Sequence, residues 1–298
     1  MNKDEKISKN SSMEEKKETT HHVAIVTGCS SGIGLETALH LAKNGFKTYA
    51  TMRNTSKSDT LKQRSQSENL PIEVLQLDVT DEASVKTAIN TVVEKEGQID
   101  VLVNNAGYAL MGSVEDLSSQ EVQDVFNTNV FGVFRTTQAV LPTMRKQKSG
   151  RIISISSLAG FMGMPILSAY SASKFAVEGF TESLRLEVAP FGIHASMIEV
   201  ANTKTNAPQN SSVAKKSMEN SPYSEMTQAL GKGMMEKMEK QGSSPIVVAK
   251  AVLEAATADN PETRYQPSEE AKMMRQARNT KSDKEFEELL MTSFMSPN

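Results

Sequence analysis

Tyr170 and Lys174 stand four positions apart in the run Tyr170-Ser-Ala-Ser-Lys174. On a helix that spacing puts both side chains on one face, roughly 5–6 Å apart at Cβ. A phenol with a pKa near 10 trades protons poorly at neutral pH. Lowering it to about 7 takes roughly 4 kcal/mol, which one ammonium on the order of 4 Å away supplies at an effective dielectric near 20. The pair therefore has the magnitude for proton transfer. It reads equally as a solvated helix pair until other residues give it a setting.

A second constellation lies near the start of the chain: Thr27-Gly28-Cys29-Ser30-Ser31-Gly32-Ile33-Gly34 follows the apolar run Val23 to Val26. Gly28 permits a tight turn, Gly32 permits backbone to approach a pyrophosphate, and Gly34 permits close helix–strand packing. A helix starting here aims unpaired N–H groups and a positive dipole end at an anion. The alternative is a strand-to-helix turn whose glycines serve geometry alone.

The elements that must position these groups alternate. Apolar strands are predicted at VAIVTG, KTYATM, IEVLQLD, IDVLVNNAG, GRIISISS and IHASMIEV. Between them, helical periodicity predicts helices after the glycine loop and over 83–96, 119–146 and 172–189. This rhythm specifies an α/β fold, a doubly wound and mostly parallel sheet of Rossmann type, with ligands at the carboxyl edge. After about Thr205 the rhythm changes. Residues 206–243 form an insert in which Met218, Met226, Met234, Met235 and Met238 repeat weakly at helical spacing, and further helices are predicted over 246–257 and 283–291.

The spacing T-G-x-x-x-G-x-G resembles that of the short-chain dehydrogenases/reductases. The resemblance runs from Val23 to about Thr205 and is carried in order by further motifs: Asp78-Val79, Asn104-Asn105-Ala106-Gly107, Asn129 in NVFG, Ser157, and Tyr170 with Lys174. It implies a nicotinamide-dependent interconversion of an alcohol and a carbonyl. Tyr170 would be the general acid or base. Ser157, thirteen residues before it, would hold the substrate oxygen, with Ser156 as its competitor and a strand-end cap as the alternative role. Lys174 would hold the cofactor ribose and depress the phenol pKa. Asn129 would hold a water linking Lys174 to solvent, or would be a buried helix asparagine bonded to backbone. The resemblance further implies cofactor contacts from Gly28, Ser30, Ser31, Gly32, Ile33, Gly34, Asp78, Val79, Asn105, Ala106, Gly107, Tyr170, Lys174, Val200 and Thr205. Asp78 reads also as a turn or cap residue, and Asn104-Asn105 as a self-satisfied turn.

Cofactor choice rests on the end of the second strand, where an acid would bond a ribose 2′-hydroxyl and an arginine would accept a 2′-phosphate. Met52 stands where NAD-specific members carry Asp, and Arg53 follows. This predicts NADP(H), with Arg53 forming a charge-assisted pair; Arg53 as a solvated loop residue is the alternative. One departure is plain: Val200-Ala201 replace the Pro-Gly that follows the sixth strand in relatives, while Thr205 keeps its place.

The insert predicts a substrate lid. Its methionines, with Leu158, Met162, Met164 and Leu167, suggest a sizeable hydrophobic alcohol or ketone, although such stripes are more often core than ligand wall. The ATMRN stretch is similar to that of the steroid- and retinol-dehydrogenase-like branch. The same scaffold also serves epimerisation or dehydration, and a non-catalytic NADP-binding regulator is a reading from another class.

A formal charge of −3 with interspersed signs gives nucleic acid no footing. No apolar run spans a bilayer. Residues 1–22 are expected to be a disordered tail without the apolar segment of a signal peptide, making a cytoplasmic protein the expectation. One cysteine and four scattered histidines offer no metal site. The resemblance implies a homodimer or homotetramer built on the helices at 119–146 and 172–189, with Phe180, Leu184 and Val188 as candidate contacts or core residues.

Overall fold

The computed structural model describes residues 21–205, 211–219 and 221–295. Most of the expected tail and the first five residues of the insert, 206–210, lie outside them. His22, expected in the tail, instead opens the first strand, β1 (His22–Val26).

Among the described residues, seven parallel strands form one sheet. They are β1, β2 (Phe46–Met52), β3 (Ile72–Gln76), β4 (Val101–Asn104), β6 (Gly150–Ser157), β7 (Ile193–Val200) and β9 (Arg264–Tyr265), and they lie side by side in the order β3-β2-β1-β4-β6-β7-β9. A two-stranded pair, β5 (Leu110–Met111) with β8 (Ser212–Val213), lies apart from it. Strand order reverses at β1, which pairs with both β2 and β4. A ligand crevice opens at such a switch point, outside the carboxyl ends of the strands.

Helices cover both faces and bury two apolar layers. One layer centres on Ala24, Val26, Leu39 and Val252, the other on Ile25, Tyr49, Ile89 and Leu184. Helix α1 (Gly32–Lys43) follows the glycine loop, and Gly45 at φ +89 turns the chain into β2. Helix α2 (Asp59–Ser67) was not anticipated from periodicity. Helix α3 (Glu82–Glu96) starts at an Asp81 cap and stops at Gly97 in the left-handed region.

The single helix predicted over 119–146 is broken. Helix α4 (Ser119–Phe126) begins with a Ser118–Glu121 capping box, and a π-helical turn at Asn127–Phe131 leads into α5 (Gly132–Gln147). The extra residue of the π turn shifts Asn129 out of the helical stripe, which periodicity alone cannot foresee. Helix α6 (Ser168–Val188) starts four residues earlier than predicted, so Tyr170 lies in its first turn. Helices α7 (Ser224–Gln241), α8 (Pro245–Thr257), α9 (Glu269–Thr280) and α10 (Asp283–Met295) follow.

Leu184 and Val188, candidate intersubunit contacts, are buried in the chain's own core. They face the sheet because α6 lays that stripe on β6 and β7. Phe180 packs partly against the same layer and meets Phe134 with ring centroids 4.2 Å apart. No described helix is long and apolar enough to cross a membrane.

Candidate active site

The glycine loop is shaped by the absence of side chains. Gly28 has φ +72, and a Cβ there would lie 2.9 Å from Ala106 Cα. A Cβ on Gly34 would collide with the Asn105 amide and the Gly28 carbonyl, and one on Gly32, at φ +59, would press on Thr205. Asn105 closes the arrangement: its Nδ2 donates to the Thr27 carbonyl (2.7 Å) and the Gly28 carbonyl (3.2 Å). Thr27 Oγ1 accepts from the backbone N–H groups of Asn105 (2.9 Å) and Ala106 (3.0 Å). The first turn of α1 carries no acidic residue, so its N-terminal N–H groups open onto the crevice without a competing negative charge.

That crevice is a cleft of about 830 Å³. All the residues singled out from sequence for cofactor contact line it: Gly28, Ser30 to Gly34, Arg53, Asp78, Val79, Asn105 to Gly107, Tyr170, Lys174, Val200 and Thr205. Ser157 lines it too. Asp78 makes the turn that sequence also allowed, accepting from the Thr80 N–H (2.9 Å) and hydroxyl (2.8 Å). Sequence reasoning missed Lys57. Asn54 accepts from the Ser56 N–H (3.0 Å), capping a short 3-10 turn at Thr55–Lys57 that follows β2, and Lys57 joins Arg53 in the cleft wall. Asn-x-Ser-Lys after a strand was the available signal.

Ser157, Tyr170 and Lys174 meet on the cleft floor. The Ser157 hydroxyl is close enough to Tyr170 to favour its phenolate, yet burial dominates and holds the phenol above its ordinary pKa. The lysine Nζ donates to the Ile155 carbonyl at 2.7 Å and lies 5.8 Å from the centre of the Tyr170 ring. Burial draws the lysine itself down to about 8, with Glu178 pulling in the opposite direction. Desolvation is the largest influence on both of these neighbouring buried groups. Ser157 also caps the turn after β6, accepting from the Ala159 N–H at 3.2 Å.

Asn129 lies behind the cleft wall, 1% exposed. Its Nδ2 donates to the Tyr108 carbonyl (2.9 Å) and Ser173 Oγ (3.1 Å), and its Oδ1 accepts from the Tyr108 N–H (3.0 Å). The side-chain amide thus fixes Tyr108, a cleft residue, by its own backbone.

On the opposite wall, β5–β8 pairing docks residues 211–219 on the loop after β4. Asp116, buried, accepts from Ser217 Oγ (2.6 Å) and Ser221 Oγ (2.7 Å), and Glu121 accepts from the Lys215 N–H (3.0 Å). Of the five methionines of the insert, Met238 reaches the cleft. Leu158, Met162 and Met164 do not line it. They pack with Phe161, Ala271 and Phe286 in a separate apolar cluster. The C-terminal helices α9 and α10 claim them as core, a long-range contact that local sequence does not reveal. Leu167 is likewise buried and outside the cleft lining.

The family model for short chain dehydrogenases matches residues 22–216. The chain belongs to the short chain dehydrogenase family. Among its relatives, the 3-ketodihydrosphingosine reductase of Bacteroides thetaiotaomicron is 37% identical over 240 residues, covering 80% of this chain and 85% of that protein. The 17-beta-hydroxysteroid dehydrogenase type 1 of Homo sapiens is 44% identical over 189 residues, 61% of this chain and 57% of its own length. The chain thus spans little more than half of the steroid relative. Among solved structures, a short-chain dehydrogenase from Streptomyces avermitilis superposes with a TM-score of 0.78 at 31% identity, covering 94% of this chain and 99% of that one. The residues present fit the dinucleotide such a dehydrogenase needs. A cradle that a Cβ would fill and a helix N-terminus without acids suit a dinucleotide's pyrophosphate.

Proposed function

We propose that this short-chain dehydrogenase reduces a hydrophobic ketone or aldehyde to the alcohol with NADPH. The observation that carries the reading is the convergence of Ser157, Tyr170 and Lys174 on the floor of the cleft that the glycine loop bounds. When bound, the dinucleotide supplies hydride to the carbonyl carbon. The chain's own groups handle the oxygen and its proton. Ser157 donates a hydrogen bond to the substrate oxygen, and Tyr170 gives that oxygen a proton. The phenol, held above its ordinary value by burial, carries a proton at neutral pH that it can donate. Lys174, with a pKa of about 8, is mostly an ammonium at pH 7 and stabilises the phenolate left behind. Asn129 holds Tyr108 at the cleft edge and keeps the π turn in register behind Lys174.

Arg53 and Lys57 support the phosphorylated cofactor: two cations flank the position, and the buried Met52 leaves no acid to repel a 2′-phosphate. The substrate class rests on Met238, Ala109 and the ring of Tyr108 in the cleft wall, and on relatives whose names refer to a ketosphingoid and a steroid. Residues 211–243 would serve as the substrate lid. The test is NADPH consumption with a panel of hydrophobic and small polar carbonyls. Stoichiometric alcohol formation, confined to the hydrophobic members, is expected. Activity restricted to polar substrates overturns the substrate class, and bound NADPH that no carbonyl oxidises overturns the reaction. Arg53→Ala should lower the preference for NADPH over NADH by about tenfold, near 1.4 kcal/mol; an unchanged preference removes Arg53 from the phosphate site.

A further inference from the structure

Helix α6 carries a third ionisable group on the stripe of Tyr170 and Lys174. Glu178 follows Lys174 by four residues and is 6% exposed. Both side chains reach β6 at consecutive residues. The lysine amine bonds the Ile155 carbonyl, and the carboxylate stands beside Ser156. A Cβ added at Gly160 would lie 2.5 Å from Ser156 Oγ and 3.0 Å from Glu178 Oε1. A buried carboxylate is expensive unless cations hold it. Here the cations come from the C-terminal segment: Arg264 Nε lies 3.2 Å and an Arg275 terminal nitrogen 3.7 Å from Glu178 Oε2. The same two arginines also engage Glu199 on β7, which is wholly buried, and Arg264 engages Glu182 on α6.

We propose that Glu178 is a positioning residue for the reaction: clamped by Arg264 and Arg275, its carboxylate sits one helical turn behind Lys174 and keeps the lysine an ammonium beside Tyr170. The inference rests on the reduction proposed above. Two buried opposite charges at consecutive turns offset part of each other's desolvation, so the lysine keeps its proton despite burial. The arginines matter because they hold the carboxylate ionised; burial pushes Glu178 above its ordinary value, while Ser156, Arg264 and Arg275 pull it down. This gives residues 264–275 a part in the site. They do not line the cleft, yet they set the charge that faces Lys174.

The test reads the lysine directly. In the full chain without added cofactor, NMR of isotope-labelled lysine side chains, assigned against Lys174→Met, follows the Lys174 titration. In Glu178→Gln the titration should move below its unmutated position by roughly one to two pH units, the effect of a unit charge one turn away at an effective dielectric of about 20. The alkaline limb of the turnover profile should move with it, and Glu178→Asp should restore most of the shift. An unmoved Lys174 titration in a variant with an unchanged melting temperature overturns the proposal. If Glu178→Gln does not fold, carboxyl-labelled glutamate in the unmutated chain decides: an ionised Glu178 at neutral pH is required, and a neutral one overturns it. The titrations stand apart from turnover. A chain that shows the shift but reduces no carbonyl overturns the proposed function and leaves the Glu178–Lys174 coupling in place.

Discussion

The two walls of the cleft are held by opposite means. Along the glycine loop, positions are set by missing side chains, and the partners that fill the space, Thr27, Asn105 and Ala106, come from the residues just after the adjacent strands β1 and β4. Across the cleft, positions are set by side chains that reach over a long stretch of chain. Asp116 takes both Ser217 and Ser221, and β5 pairs with β8. The first wall is set by packing, where an added Cβ meets the backbone of Ala106 or Gly28 or the side chains of Asn105 and Thr205. The second is a polar clamp between two loops, which hydrogen-bond exchange with water can open. A rigid phosphate cradle facing a separable substrate wall suits a protein that keeps one cofactor geometry and admits a bulky substrate.

The largest expected effect comes from breaking the first wall. Gly34→Ala pushes a methyl into Asn105 and the Gly28 carbonyl and should lower unfolding stability by about 2–3 kcal/mol in urea titrations, with cofactor binding lost. Met162→Ala probes the assignment of residues 158–164 to core. It should destabilise by about 2–3 kcal/mol through a cavity while leaving the KM for a hydrophobic carbonyl nearly unchanged; a raised KM at intact stability would return Met162 to the substrate wall.

Lys174→Met sits between the walls and should act in the opposite direction on stability. The folded protein holds this amine near 8, below the unfolded value near 10.4. The unfolded chain therefore binds the extra proton through that window, and native stability rises with pH from about 8 to 10. At pH 7 the penalty is in full force, so removing the amine should stabilise the chain by about 1–3 kcal/mol despite the lost bond to Ile155. The gain should vanish above about pH 10, and turnover should be lost throughout. The smallest effect is expected at the clamp. Asp116→Ala should cost about 1 kcal/mol, raise KM several-fold with kcat little changed, and speed hydrogen exchange at residues 211–219; unchanged exchange there would show that the clamp is not what holds the second wall.

The same contrast explains what the sequence disclosed. Backbone-built features were legible. The glycine spacing, the six buried runs from β1 to β7, and the Tyr170–Lys174 spacing all follow from local rules of φ, period and helix pitch. Features that depend on distant partners were not. Lys57 enters the cleft through an Asn54 cap, Leu158 and Met162 turn away because α9 and α10 cover them, and Asn129 is displaced by a π turn. The electrostatics divide in the same way. Spacing fixes how close Lys174 and Tyr170 stand, but only the fold fixes how dry they are and that the amine turns to Ile155.

The most direct measurement is single-turnover reduction of a hydrophobic ketone by NADPH in Tyr170→Phe beside the unmutated chain, with cofactor affinity measured in both. A loss of at least a thousandfold in the chemical step is expected, about 4 kcal/mol, with NADPH affinity within a few-fold. Near-normal reduction by the phenylalanine variant would show that the proton comes from elsewhere and would contradict the account.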